Sequence, residues 1–127
     1  MKKIVYAASL AALMGTTAMA ENVGVSMALF DDNFLPVLGN GIQKYADESG
    51  VGVQIEDAQN DVAKQLDQIN NFIASGVDAI VVNPVDTSAT QAMSDAAAAA
   101  NVPLVYVNRE PINVDSLPDN QAFVASI

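Results

Sequence analysis

The sequence predicts an α/β fold: a parallel sheet with helices on both faces, in the order β-α-β-α-β-α-β. Three observations predict it. Strand-like apolar runs alternate with stretches whose apolar residues recur at helical steps. The connections between them are only a few residues long. The run at 79–82 is apolar without a break, the pattern of a strand buried on both faces.

The elements follow in order. Residues 1–20 have the pattern of a signal peptide. Lys2 and Lys3 precede an apolar stretch over 4–14, and Ala18-Met19-Ala20 forms an A-x-A cleavage site before Glu21. The apolar stretch is too short to span a bilayer. Residues 23–29 form the first strand. Leu35, Leu38, Ile42 and Tyr45 make one helical stripe, with Pro36 near the first turn, Asp31 or Asp32 as cap, and Gly50 as the stop. Residues 51–55 form the second strand. Val62, Leu66, Ile69 and Ile73 make the second stripe, opened by Asn60 or Asp61 and closed by Gly76. After the third strand, Thr87 or Ser88 opens a helix through the alanine run at 96–100. Alanine favours helix and lets it lie close on the sheet. Pro103 admits the fourth strand. Residues 122–127 begin a further strand with no helix behind it, so the 21–127 segment is expected to be a lobe of something longer.

Composition narrows the function. After cleavage, Lys44, Lys64 and Arg109 face fifteen acidic residues, a net charge of −12. Such a chain repels phosphate backbones and anionic lipid surfaces, so neither nucleic acid nor membrane insertion is expected. Cysteine and histidine are absent, which excludes disulfides, Cys/His zinc sites and His-based general base chemistry. No dinucleotide or Walker fingerprint occurs, because Gly39-x-Gly41 falls inside a helix and Gly50-x-Gly52 precedes a strand. No cofactor and no metal is expected.

Three apolar runs break off into polar clusters: Asp31-Asp32-Asn33-Phe34, Asn83, and Asn108-Arg109. Ligands of open parallel sheets bind at the carboxyl ends of the strands. Asp32 is the candidate acceptor for vicinal hydroxyls, through charge-assisted hydrogen bonds. Phe34 offers a flat face to the C–H side of a sugar ring, or belongs to the core. Asn83 carries two donors and an acceptor, though Asn-Pro also favours a turn. Arg109, the lone arginine, presents five donors in a fixed fork, or pairs with Glu110. Together they suit a small neutral polyhydroxylated molecule.

Ala58-Gln59-Asn60-Asp61, Gln65-Leu66-Asp67-Gln68-Ile69, Val82-Asn83-Pro84-Val85-Asp86 and Asn101-Val102-Pro103 leading to Asn108-Arg109-Glu110-Pro111 add to the first cluster. With these stretches in order, residues 23–126 resemble the amino-terminal lobe of the periplasmic monosaccharide-binding proteins of ABC importers, of the ribose- and galactose-binding type. The resemblance implies two lobes joined by a hinge, closing on one sugar. It implies ligand contacts from Asp32, Phe34 and Asn83 in the galactose/glucose manner and from Asn108 with Arg109 in the ribose manner. Arg109 stands where glucose/galactose binders commonly carry lysine, and Asn108 where ribose binders carry aspartate. The ligand class therefore spans monosaccharides and cyclic polyols such as inositols.

Without a cysteine for lipid attachment, the exported protein is expected to be freely soluble in the periplasm and a monomer. The resemblance implies that it is not an enzyme and that its partners are the membrane subunits of an ABC permease. A chemoreceptor or sensor kinase is the partner under the alternative of an exported sensory domain. A second alternative is a Mg²⁺-dependent phosphoryl-transfer domain using Asp31 and Asp32.

Overall fold

A computed structural model describes residues 21–31 and 33–125. The expected signal peptide, Asp32 and the last two residues lie outside the described residues.

Five strands form one parallel sheet: β1 (Asn22–Met27), β2 (Gly52–Asp57), β3 (Ala79–Val82), β4 (Leu104–Val107) and β5 (Gln121–Val124). Their order is β2-β1-β3-β4-β5. Three helices connect the first four: α1 (Leu35–Ser49), α2 (Val62–Ser75) and α3 (Thr90–Ala99). The expected strand near the end of the chain is β5, which begins one residue before 122 and ends at Val124. β1 stops two residues sooner than its apolar run, and β2 runs on through Glu56 and Asp57.

The helices divide between the two faces of the sheet. On one face, Ile69 and Phe72 of α2 and Met93 and Ala97 of α3 pack with Ile80, Val82, Leu104 and Tyr106. On the other, Leu35 of α1 packs with Val25, Met27 and Ala28, flanked by Leu38, Ile42, Val53 and Ile55. Alternate strand residues supply the two cores, as the period of two demands. Among the described residues, no helix is long and apolar enough to cross a membrane.

Three local expectations change. The α1 stripe continues from Ile42 to Ala46 (4% exposed), and Tyr45 points out at 73%. Four residues past Ile42 stay on the same face, whereas three drift to its edge. The cap of α1 is Phe34, with no side-chain hydrogen bond, so Asp31 does not cap it. Residues Thr87–Ala89 form a 3₁₀ turn before α3, and its cap is Asp86, whose carboxylate accepts from the Ser88 N–H. Asp61 caps α2, accepting from the Lys64 N–H, as the sequence allows. Gly50 and Gly76 close α1 and α2 in left-handed conformations.

Candidate functional site

The register brings the strand ends to one edge. Ser26 pairs with Val82, Val82 with Tyr106, and Val107 with Val124. Residues 28–31, 83–86 and 108–110 therefore leave the sheet side by side, with 58–61 beyond the end of β2. Neighbouring strands lie about 4.8 Å apart, so groups from three strand ends fall within the span of one small molecule.

Arg109 binds across this edge. Its Nη1 donates to the Pro84 carbonyl at 2.9 Å and to the Val85 carbonyl at 3.3 Å. The guanidinium is half-buried and clasps the β3 loop to the β4 loop. A Glu110 pair does not form; among the described residues the one ion pair is Lys44–Glu48, at 3.9 Å on the α1 surface.

Asn108 has a φ of 68°, and the Arg109 N–H donates back to the Val107 carbonyl at 2.8 Å. This is the rare positive-φ form of the three-residue turn, a strained conformation that persists only where its surroundings hold it. The Asn108 N–H donates to the Val124 carbonyl at 3.1 Å, tying the turn to β5. Strain of this kind gathers at binding sites.

Asn83 was expected to meet a ligand directly, but it is fully buried. Its Oδ1 accepts from the Ala28 N–H at 3.3 Å, and its Nδ2 donates to the Val107 carbonyl at 3.3 Å. One amide thus bridges the ends of β1 and β4, on either side of its own strand. Phe34 is 43% exposed at the head of α1. It lines an apolar groove of about 670 Å³ with Val37, Leu38, Ile42, Tyr45 and Val53, along the flank of that helix. The Asn83 amide and the Arg109 N–H thus meet at one acceptor, the Val107 carbonyl, with Asn108 in the turn beside it.

Beneath the edge lies a buried polar layer for which the sequence offered no role. Gln65 Nε2 donates to Ser26 Oγ at 3.1 Å and to the Asn83 carbonyl at 2.9 Å, while Gln65 Oε1 accepts from the Val85 N–H at 2.8 Å. Ser26 Oγ donates to Gln68 Oε1 at 2.8 Å, and Gln68 Nε2 donates to the Asp57 carbonyl at 2.9 Å. The signal was present: Gln65 and Gln68 fall three apart, interleaved with Leu66 and Ile69, on the face α2 turns to the sheet.

A second buried chain lies under α3. The Asn113 amide donates to Ser94 Oγ at 2.9 Å, and the Tyr106 hydroxyl donates to the Thr90 carbonyl at 2.9 Å. Ser94 is therefore the donor in its 2.8 Å bond with Tyr106. Burial pushes the Tyr106 hydroxyl up from 10.0 to about 12, against the lowering effect of the Ser94 bond. At the rim, the Ser88 hydroxyl and then its N–H donate to Asp86 and hold that carboxyl below its usual value.

Residues 23–125 match the family model of a periplasmic binding protein domain. The chain is 61% identical over 127 residues to a putative rhizopine-binding protein of Rhizobium meliloti, spanning 99% of this chain and 41% of that protein. It is 39% identical over 87 residues to the ribose import binding protein of Bacillus subtilis, spanning 68% of this chain and 28% of that protein. An ABC transporter solute binding protein from Bacillus halodurans, solved with bound myo-inositol, superimposes with a TM-score of 0.74 at 34% identity. That match covers 84% of this chain and 36% of the other. The chain thus spans less than half the length of these relatives.

Proposed function

This chain belongs to the periplasmic binding protein domain family, and we propose that it forms the amino-terminal lobe of a two-lobe protein binding a monosaccharide or cyclic polyol for import. The family is a substrate-binding type rather than an enzyme type, which favours this reading over phosphoryl transfer. In the reading, residues 1–20 are removed after Ala20, and the protein works in the periplasm as a monomer. It hands its ligand to the membrane subunits of an ABC permease. Ligand stabilises the closed pair of lobes by its greater affinity for that state.

The observation that most supports the reading is the bonded edge of Asn83, Asn108 and Arg109 at the carboxyl ends of β3 and β4. Arg109 spends Nη1 on the β3 loop, and we assign its Nη2 and Nε to ligand hydroxyls. Asn108 supplies an amide from a turn already held in place. Asp32 is the acceptor for vicinal hydroxyls, and Phe34 gives an apolar face at the rim. Asn83 acts one layer down, fixing the strand ends on which the contacts stand. The names of the relatives, rhizopine-binding and ribose import, and the myo-inositol in the solved structure keep both sugars and polyols in view.

Calorimetric titration of the full-length protein with pentoses, hexoses and inositols tests the proposal. Saturable binding of one member or a small subset is expected, and silence across the panel removes it. The isolated lobe should bind weakly at most, because half of the ligand would remain in water.

A further inference from the structure

We infer that Gln65, with Ser26, Gln68 and Asn83, is a positioning network that sets the spacing of the ligand-facing loops and hence the ligand preference of the site. The inference rests on the binding function proposed above and adds the device that tunes it.

The four side chains are buried, Ser26, Gln65 and Asn83 at 0% and Gln68 at 6% exposure. Gln65 uses every polar group it has: two donations from Nε2 and one acceptance at Oε1. Core filling alone would be served by leucine or methionine, at no cost in buried polar groups. The partners of the network are telling. They are backbone groups at the ends of four neighbouring strands: Ala28 after β1, Asp57 at the end of β2, Asn83 and Val85 after β3, and Val107 at the end of β4. A connected set of satisfied amides in a low-dielectric interior has one arrangement and resists displacement. Binding loops need such support, because contacts must be held within about 0.5 Å of their productive geometry.

The second buried chain, Tyr106–Ser94–Asn113, offers an internal contrast. It is equally buried, but it joins α3 to β4 and the 113 turn and reaches no backbone group of residues 28–31 or 83–86. Polar burial recurs in this core, but it does not by itself lead to the strand-end loops. The Gln65 set is aimed at the edge.

The test uses the full-length protein and its Gln65→Met and Ser26→Ala variants. Affinity for D-ribose, D-galactose and myo-inositol is measured by calorimetry, and amide hydrogen exchange is followed at residues 28–31, 83–86 and 108–110. In Gln65→Met, affinity for the probe that the parent protein binds should fall on the order of tenfold to a hundredfold. Its preference over the other two probes should narrow, and exchange should quicken in those three loops while α3 keeps its protection. Unchanged affinity and loop exchange overturn the inference and leave the binding function standing. So does exchange that quickens evenly over the whole lobe, the mark of a purely structural role. If the parent protein binds none of the three probes, exchange alone decides: quickening confined to the loops supports the network, and any other pattern overturns it. If Gln65→Met does not fold, Ser26→Ala, which removes one hydroxyl, is judged by the same measurements.

Discussion

Gln65 and Arg109 hold Val85 from opposite ends. Gln65 Oε1 accepts the Val85 N–H at 2.8 Å, and Arg109 Nη1 donates to the Val85 carbonyl at 3.3 Å. Val85 is the second residue of the loop after Asn83, so a glutamine from α2 and an arginine from the β4 loop fix where that loop leaves the sheet. At the proposed binding edge, such prior ordering of a loop lowers the cost of binding.

Arg109→Ala releases the Pro84 and Val85 carbonyls and removes the donors assigned to the ligand. Stability should fall by about 1.5–3 kcal/mol, the range for a hydrogen bond to a charged group. Binding should fall with it. Arg109→Lys keeps the charge without the planar fork and should recover stability better than affinity. Thermal unfolding and titration of the same samples separate the two.

Asn108 has both a backbone and a side-chain role, and glycine separates them. Asn108→Gly accepts a φ of 68° without strain and should leave stability within about 0.5 kcal/mol of the parent. It should nevertheless weaken ligand binding. Asn108→Val should cost about 1–2 kcal/mol, because a β-branched residue resists the left-handed region. Equal stability of the valine and glycine variants would contradict the strained turn.

Tyr106 predicts how alkali acts on the fold. Its folded-state value is raised from 10.0 to about 12 by burial, so the folded protein retains a proton that the unfolded chain loses. That contribution is complete below pH 10 and is lost as pH rises from 10 towards 12. Tyr106→Phe should cost about 1–3 kcal/mol at neutral pH, because the Ser94 donor and the Thr90 carbonyl lose a partner. It should also flatten this part of the alkaline decline in a denaturant series at increasing pH.

Gly24 lies in β1 under the ring of Phe72. A Cβ at this position would overlap the Phe72 ring carbons. Gly24→Ala should destabilise by about 1–3 kcal/mol, as overpacking does. Gly24→Ala combined with Phe72→Leu should recover part of that loss, measured as unfolding midpoints.

Much of the fold was legible because burial leaves a period. Val62, Leu66, Ile69 and Ile73 mark α2 almost to its ends, and the unbroken 79–82 run is β3. The failures have physical causes. Tyr45 differs from Ala46 by one residue of helical phase, and a large aromatic outweighs an alanine in any apolar pattern. Asp86 caps the 3₁₀ turn, although the residues that follow it cap helices equally well by type.

The site was legible as a location but not as a division of labour. Strand ends with polar clusters pointed to the edge at which Asn83 and Arg109 meet the Val107 carbonyl. Nothing in an Asn-Pro pair distinguishes an amide facing a crevice from one spent on Ala28 and Val107. Gln65 and Gln68 were visible as a motif, yet a pattern that sorts residues into apolar core and polar surface has no place for a glutamine at 0% exposure. Hydrogen bonds between strands distant in sequence cannot be read from local spacing.

Hydrogen exchange of the full-length protein, with and without saturating ligand from the sugar and polyol panel, tests the central claim most directly. Ligand should slow exchange at residues 28–34, 83–86 and 108–110 together, the loops at the carboxyl ends of β1, β3 and β4. Protection that appears along the α1 groove of Val37 and Tyr45, with those loops unchanged, would contradict it.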